Sequence, residues 1–201
     1  MDVDLSGARR VCSRALIFMR RVLGSFVALL ILIEASGGTA LHPTEYQIKA
    51  VFLYNFAKFT EWPASAFPTA TSPICIGVLG DDPFDDNLEL TVAGKQINNR
   101  PLIIKRFTGG RRFEPCHILF VSRSDKREWP RVLETLRGSA TLTVGDGLDQ
   151  FCQQGGMINL IMAEKKVRFE INQRSAESAG LKISSRLLKL GVADESPRGR
   201  E

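Results

Sequence analysis

Apolar positions between Thr44 and Pro63 recur with a helical period. Ile48, Phe52, Phe56 and Phe59 stand three or four residues apart, and Ala50, Val51, Leu53 and Ala57 widen the stripe until Gln47, Asn55 and Lys58 mark the polar side. The pattern predicts a helix buried on most of its circumference, laid as scaffold across a sheet. Thr44 followed by Gln47 gives it an N-cap, and Pro63 drives Trp62 out of helical geometry.

Beyond this helix the pattern alternates between short apolar runs and longer periodic ones. Ile74–Leu79 reads as a strand ending in Gly80-Asp81-Asp82-Pro83-Phe84, where Asp82 caps a helix with Pro83 in its first turn, running through Leu88 and Leu90 to about Ala93. Asn98-Asn99 reads as a turn into a second strand, Pro101–Phe107, and Gly109-Gly110 as a break before a third, His117–Val121. Ser124 opens a helix through Trp129, Val132, Leu133 and Leu136 that closes at Gly138. Thr141–Val144 is a fourth strand ending at Gly145-Asp146-Gly147. A helical turn over Leu148–Gln153 leads into a hairpin, Met157–Ala163 and Val167–Ile171, turning at Glu164-Lys165-Lys166. Ser175–Leu190 reads as a helix, with Gly180 either a break or a point of close packing. This order predicts an α/β fold: a mostly parallel sheet, helices on both faces, and a C-terminal antiparallel hairpin at one edge.

The first forty residues stand apart. Arg9, Arg10, Arg14, Arg20 and Arg21 precede an apolar run from Val22 to Ile33, and small residues follow, ending in Gly38-Thr39-Ala40. This is the layout of a secretory signal peptide cleaved near Ala40; the alternative is an uncleaved anchor, for which the run falls short of the ~20 residues that span a bilayer. The division expected is therefore a signal peptide over 1–40, an α/β domain over 41–192 and a flexible tail over 193–201. The net charge of +5 falls to +3 once the five arginines and three acids of the leader are set aside, a balance that predicts no nucleic-acid partner.

An exported chain changes the reading of its cysteines. Cys12 leaves with the leader. Cys75 and Cys116 each open a strand, ICIGVLG and CHILFVS, and adjacent parallel strands starting at the same edge bring the two within bonding distance. Such a bridge would stabilise the fold by roughly 4 kcal/mol in the chain-entropy model. The other reading is two buried thiols. Cys152 is expected as a buried free thiol, with an intermolecular bridge as alternative.

Candidate chemistry is sparse. Asp81, Asp82, Asp85 and Asp86 lie where open α/β sheets bind ligands, but helix capping accounts for them better than a divalent cation does. His42 and His117 lack metal-ligand spacing, and no serine sits on a nucleophile elbow, so neither a catalytic residue nor a metal or cofactor is expected. Arg168, Glu170, Arg174 and Arg186 form a possible anion-binding or ligand-binding group, the alternative being a solvated charged face.

Six ordered segments carry a resemblance: EYQIKAVFLYNFAKFTEWP, ICIGVLGDDPF, GKQINNRPLIIKRF, CHILFVS, LTVGDGLDQFCQQGGMINLIMAEKKVRFEIN and AGLKISSRLLKL. Together they resemble the YfiR family of periplasmic regulators over about Glu45 to Val192. The resemblance implies a periplasmic, generally dimeric α/β protein that binds the periplasmic sensor domain of an inner-membrane diguanylate cyclase, represses cyclic-di-GMP synthesis and so restrains biofilm growth. It also implies a Cys75–Cys116 disulfide. Members with a second bridge place the partner of Cys152 seven residues on, where this chain has Asn159, so that bridge is expected to be absent. Leu41, Tyr46 and Phe67 are the candidate partner-binding residues. The competing readings are a small-ligand-binding accessory to another membrane signalling protein, such as a histidine kinase, with a site at Asp81–Phe84 and Gly145–Gly147 or at the arginine group, and a hydrolase depending on His117.

Overall fold

Thr44 starts the first helix with a capping box: its hydroxyl accepts from the Gln47 N–H while the Gln47 side chain accepts from the Thr44 N–H. The computed structural model describes residues 43–108 and 113–191. The chain divides into residues 1–42 and a unit from Pro43 to Glu201. The leader, Cys12, Leu41, the Gly109-Gly110 break and the C-terminal tail therefore lie outside the described residues.

Helix α1 runs Glu45–Phe59, ending with its apolar stripe and short of the stop signal at Pro63, because Thr60–Glu61 leaves it as a strand, β1. Its buried line is Lys49, Ala50, Leu53, Phe56 and Ala57. Val51, counted into the apolar stripe, is 50% exposed. One side of α1 meets a sheet and the other meets solvent, so the stripe is narrower than composition implied.

The main sheet has seven strands in the order β3-β4-β2-β5-β6-β7-β8: β2 Ile74–Leu79, β3 Gln96–Ile97, β4 Arg100–Phe107, β5 Ile118–Val121, β6 Leu142–Asp146, β7 Ile158–Ala163 and β8 Lys166–Ile171. Strands β4, β2, β5, β6 and β7 are mutually parallel, and the β7–β8 hairpin closes one edge, as expected. The other edge is also an antiparallel hairpin, with the short β3 paired to β4. Both hairpins turn on two residues of positive φ, Asn98-Asn99 and Glu164-Lys165, which matches the twist of the strands they join.

Side chains alternate between two cores. Ile76, Val78, Ile118, Phe120, Val144, Ile158, Leu160 and Phe169 face α1 and its neighbours, where Phe52 and Phe56 meet the Phe169 ring edge-on. Leu79, Leu119 and Val121 face Trp129, Val132, Leu136 and Phe151 on the opposite side. Helix α2 (Asn87–Val92) packs beside α1, and α3 (Trp129–Thr135) covers the second face after a 3-10 segment, Arg123–Glu128.

Two expectations change. Asp82 does not cap a helix: its carboxylate accepts from the Phe84 N–H and pairs with Arg106 at 2.5 Å, and α2 starts only at Asn87. Ser175–Leu190 is not one helix but α4 (Gln173–Ser178), β9 (Lys182–Ile183) and α5 (Ser185–Leu188). Gly180 breaks it at a φ of +75°, which frees β9 to pair antiparallel with β1 at the end of α1.

Candidate functional site

The two ends of the parallel strands gather the polar and reactive side chains. At the carboxyl end, β6 finishes on Asp146, 1% exposed, and α1 places Lys49 over it. The fully buried Lys49 ammonium donates to Asp146 Oδ1 and to Glu45 Oε1, each at 2.5 Å. Tyr46 Oη donates to Asp146 Oδ2 at 3.2 Å, and Arg123 Nε donates to the Asp146 carbonyl at 2.8 Å. Burial, then the Asp146 charge, raises the Tyr46 pKa above its ordinary value. Tyr46 also meets Phe84 edge-on, 5.7 Å between ring centres, and Phe84 meets Phe120 in turn. Tyr46 thus joins the Asp81–Phe84 and Gly145–Gly147 parts of this edge, the two stretches that the small-ligand reading put in one site.

Beside Asp146 lies a cavity of about 270 Å³ lined by Gly147, Asp149, Cys152, Asn159 and Glu170 among others. Asn159 forms its wall: its amide accepts from the Leu148 N–H, donates to the Leu148 carbonyl, both at 3.0 Å, and donates to Glu170 at 3.2 Å. The position that a second bridge would use is thus filled by a side chain already committed to three hydrogen bonds. Cys152 is buried in the same wall, 4.0 Å from the Met157 carbonyl.

The amino end is built from sulfur and aromatic groups. The parallel register pairs Ile76 with Ile118, so Cys75 stands level with His117 and next to Cys116; their sulfurs are 2.8 Å apart, both residues buried. A Cβ at Gly77 would stand 3.1 Å from the Cys116 sulfur and 2.9 Å from the Phe107 ring, so only glycine leaves the pair its space. The thiol contact with Cys116 lowers the Cys75 pKa and, with burial, raises that of Cys116. His117 Nδ1 accepts from the Cys75 N–H at 3.0 Å, so the neutral ring carries its proton on Nε2, 3.2 Å from the Ala66 carbonyl. Phe67 stacks on His117 at 4.4 Å, with the Arg100 guanidinium 3.7 Å from its ring centre. Arg100 also donates to the Thr69 and Ser72 carbonyls, tying the loop before β2 to β4.

The predicted residues are thus distributed as follows. Tyr46 belongs to the carboxyl-end cluster and Phe67 to the amino end, each half-buried. The large exposed apolar side chains among the described residues include Val51 on α1 and Leu90 on α2, helices that pack on each other. The proposed arginine group is divided: Arg168 and Glu170 project from the face of β8 opposite Phe169, with Glu170 at the 270 Å³ cavity, Arg174 borders a different cleft, and Arg186 lies 5.9 Å from the Phe59 ring centre. Sequence reasoning missed Lys49 and Arg123, and held Asp146 only as part of the Gly145–Gly147 stretch, without its lysine partner. The one available signal was a lysine at i+4 from Glu45, between Ile48 and Ala50, on the apolar side of a helix.

The described residues form a mixed α/β domain in which no group of acids, histidines and cysteines is fit to hold a metal ion, and in which the polar side chains at both sheet ends chiefly tie elements together. A protein-family model matches residues 46–192, and the chain belongs to the YfiR/HmsC-like family (DUF4154), consistent with a periplasmic regulatory role. A search of curated proteins gives no match.

Proposed function

We propose that the exported protein is a periplasmic negative regulator that docks on the periplasmic sensor domain of an inner-membrane diguanylate cyclase and holds it in its inactive state. The observation that carries this reading is the family match, which spans all the described elements except the first residue of α1. Moving such a partner from mostly active to mostly inactive takes about 5.5 kcal/mol of differential affinity, within reach of a standard-sized interface of roughly 1,600 Å². The docking protein is a homodimer in this proposal, and Val51 and Leu90 supply apolar contact on its α1–α2 face. In the oxidising periplasm Cys75 and Cys116 form a disulfide that holds β2 to β5.

A second reading has its own support. The 270 Å³ cavity between Asp149, Asn159 and Glu170 suits a small polar ligand, which makes the protein a ligand-responsive accessory to another membrane signalling protein, such as a histidine kinase.

The deciding measurement is cyclic-di-GMP in cells lacking the gene, then restored with an exported or a leader-less copy. Repression predicts a rise on deletion that only the exported copy reverses. No change in cyclic-di-GMP sinks the cyclase reading and leaves the accessory one.

A further inference from the structure

A further cleft opens between the end of α3 and α4. Its volume is about 310 Å³, at the small end of the roughly 300–1,000 Å³ typical of ligand pockets. Leu133, Leu136 and Met157 provide an apolar lining, the last two nearly buried. Arg137 and Arg174 come to it from separate elements, and no acidic residue lines it. Arg174 makes no ion pair among the described residues. Arg137 pairs only with Glu134, three residues earlier on the surface, at 2.7 Å, with the two side chains 75% and 61% exposed. Such an exposed pair is worth little and leaves the guanidinium available.

We propose that this cleft binds a small organic anion, its oxyanion head between Arg137 and Arg174 and its apolar body against Leu133, Leu136 and Met157. Guanidinium groups suit carboxylate or phosphate by paired N–H donation, and the side-chain hydroxyl of Ser175, with no hydrogen-bond partner among the described residues, adds a third polar group to the wall. A bare inorganic anion would leave the apolar lining unused, and a neutral hydrocarbon would leave both cations unpaired; an amphipathic anion satisfies both halves. The backbone keeps the mouth open: Gly138 adopts a φ of +76° and Gly155 a φ of +98°, where a Cβ would stand 3.0 Å from Leu133. The site does not depend on which membrane protein the chain regulates.

The test uses protein purified after expression of the full chain, with octanoate as probe and inorganic phosphate, octyl phosphate and octanol as comparisons. Amide shifts and calorimetry are read on the wild type and on R137Q, R174Q and the double variant. Octanoate or octyl phosphate is expected to bind, shifting Ser139, Thr141 and Ser175, while inorganic phosphate and octanol bind far more weakly; the stronger amphiphile identifies the head group. The double variant is expected to lose about tenfold or more in affinity, and added salt to weaken binding in the wild type. Both arginines are exposed, so unfolding midpoints should stay level and loss of binding cannot be put down to loss of fold. Equal binding by the double variant, octanol matching both anions, or no binding of either amphiphile up to its solubility would overturn the proposal. This outcome is independent of the cyclic-di-GMP experiment.

Discussion

The two ends of one parallel sheet are secured by different physics. At the carboxyl end a lysine and an aspartate, 0% and 1% exposed, face each other out of contact with water, with Glu45, Tyr46 and Arg123 around them. At the amino end the ties are two sulfurs, a stacked imidazole and an arginine on backbone carbonyls. A buried ion pair gives little net stability but is costly to break, since the surviving charge has no solvent. The amino end relies instead on ring stacking, backbone carbonyls and the Cys75–Cys116 contact, which the proposed periplasmic disulfide would make redox-dependent. The carboxyl end is therefore expected to be insensitive to reductant and the less tolerant of substitution, and the amino end, with the proposed disulfide, to be the one that reductant weakens.

The sharpest way to break that contrast is at Lys49. Lys49→Met strands Asp146 in the interior and should cost about 3–5 kcal/mol in urea unfolding, whereas Lys49→Met with Asp146→Leu should recover most of the loss. If the double variant is no better than the single, the pair is a net stabiliser and the argument fails. Next comes the sulfur pair: Cys75→Ser or Cys116→Ser in exported protein should lower stability by about 2–4 kcal/mol, and dithiothreitol should do the same to the wild type while leaving the serine variants unmoved. A wild type indifferent to reductant would mean that the thiols stay unpaired. Smaller again is Asn159→Ala, which leaves the buried Leu148 N–H and carbonyl without partners and should cost about 1–3 kcal/mol.

Much of the fold could be read directly from the sequence. The capping box at Thr44, the Asn98-Asn99 turn and the β7–β8 hairpin are local signals, and each stands where its residues put it. Cys75 and Cys116 were legible too, because parallel strands that begin on cysteine leave few choices of register. What stayed hidden was whatever depends on contacts between distant residues. Lys49 and Asp146 are 97 positions apart, and only packing α1 over the end of β6 makes the lysine a buried partner rather than a surface charge. The C-terminal segment failed for the same reason: nothing local announces that Lys182–Ile183 will pair with Thr60–Glu61, so a helical period was read across Gly180. Arg168, Glu170, Arg174 and Arg186 looked like a group because they are near in sequence; strand alternation keeps Arg168 and Glu170 on one face of β8, while the turn into α4 and the break at Gly180 take Arg174 and Arg186 to other surfaces.

Acid provides the gentlest probe, and the two ends should answer it in opposite senses. Burial holds the His117 pKa below its ordinary 6.5, the nearby Ala66 carbonyl opposing and the Arg100 charge adding to the shift. Between the folded and unfolded values the unfolded chain binds the proton more readily, so this contribution is whole above pH 6.5 and is lost as pH falls through the folded value. Protonation also puts a hydrogen on Nδ1, where the Cys75 N–H now donates. At the carboxyl end of β2 and β5, burial and the charges of Glu128 and Asp81 raise the Asp125 pKa above 3.8, so its protonated form is favoured by folding and its contribution improves on further acidification. Melting temperatures should therefore fall on the first step below neutrality, and His117→Gln should flatten that step while leaving the lower one unchanged. Asp125→Asn should alter only the lower step. Equal slopes for the wild type and His117→Gln between about pH 7 and 5.5 would show that the imidazole keeps its solution-like pKa and that stacking on Phe67, rather than burial of the neutral ring, is what His117 contributes to the amino end.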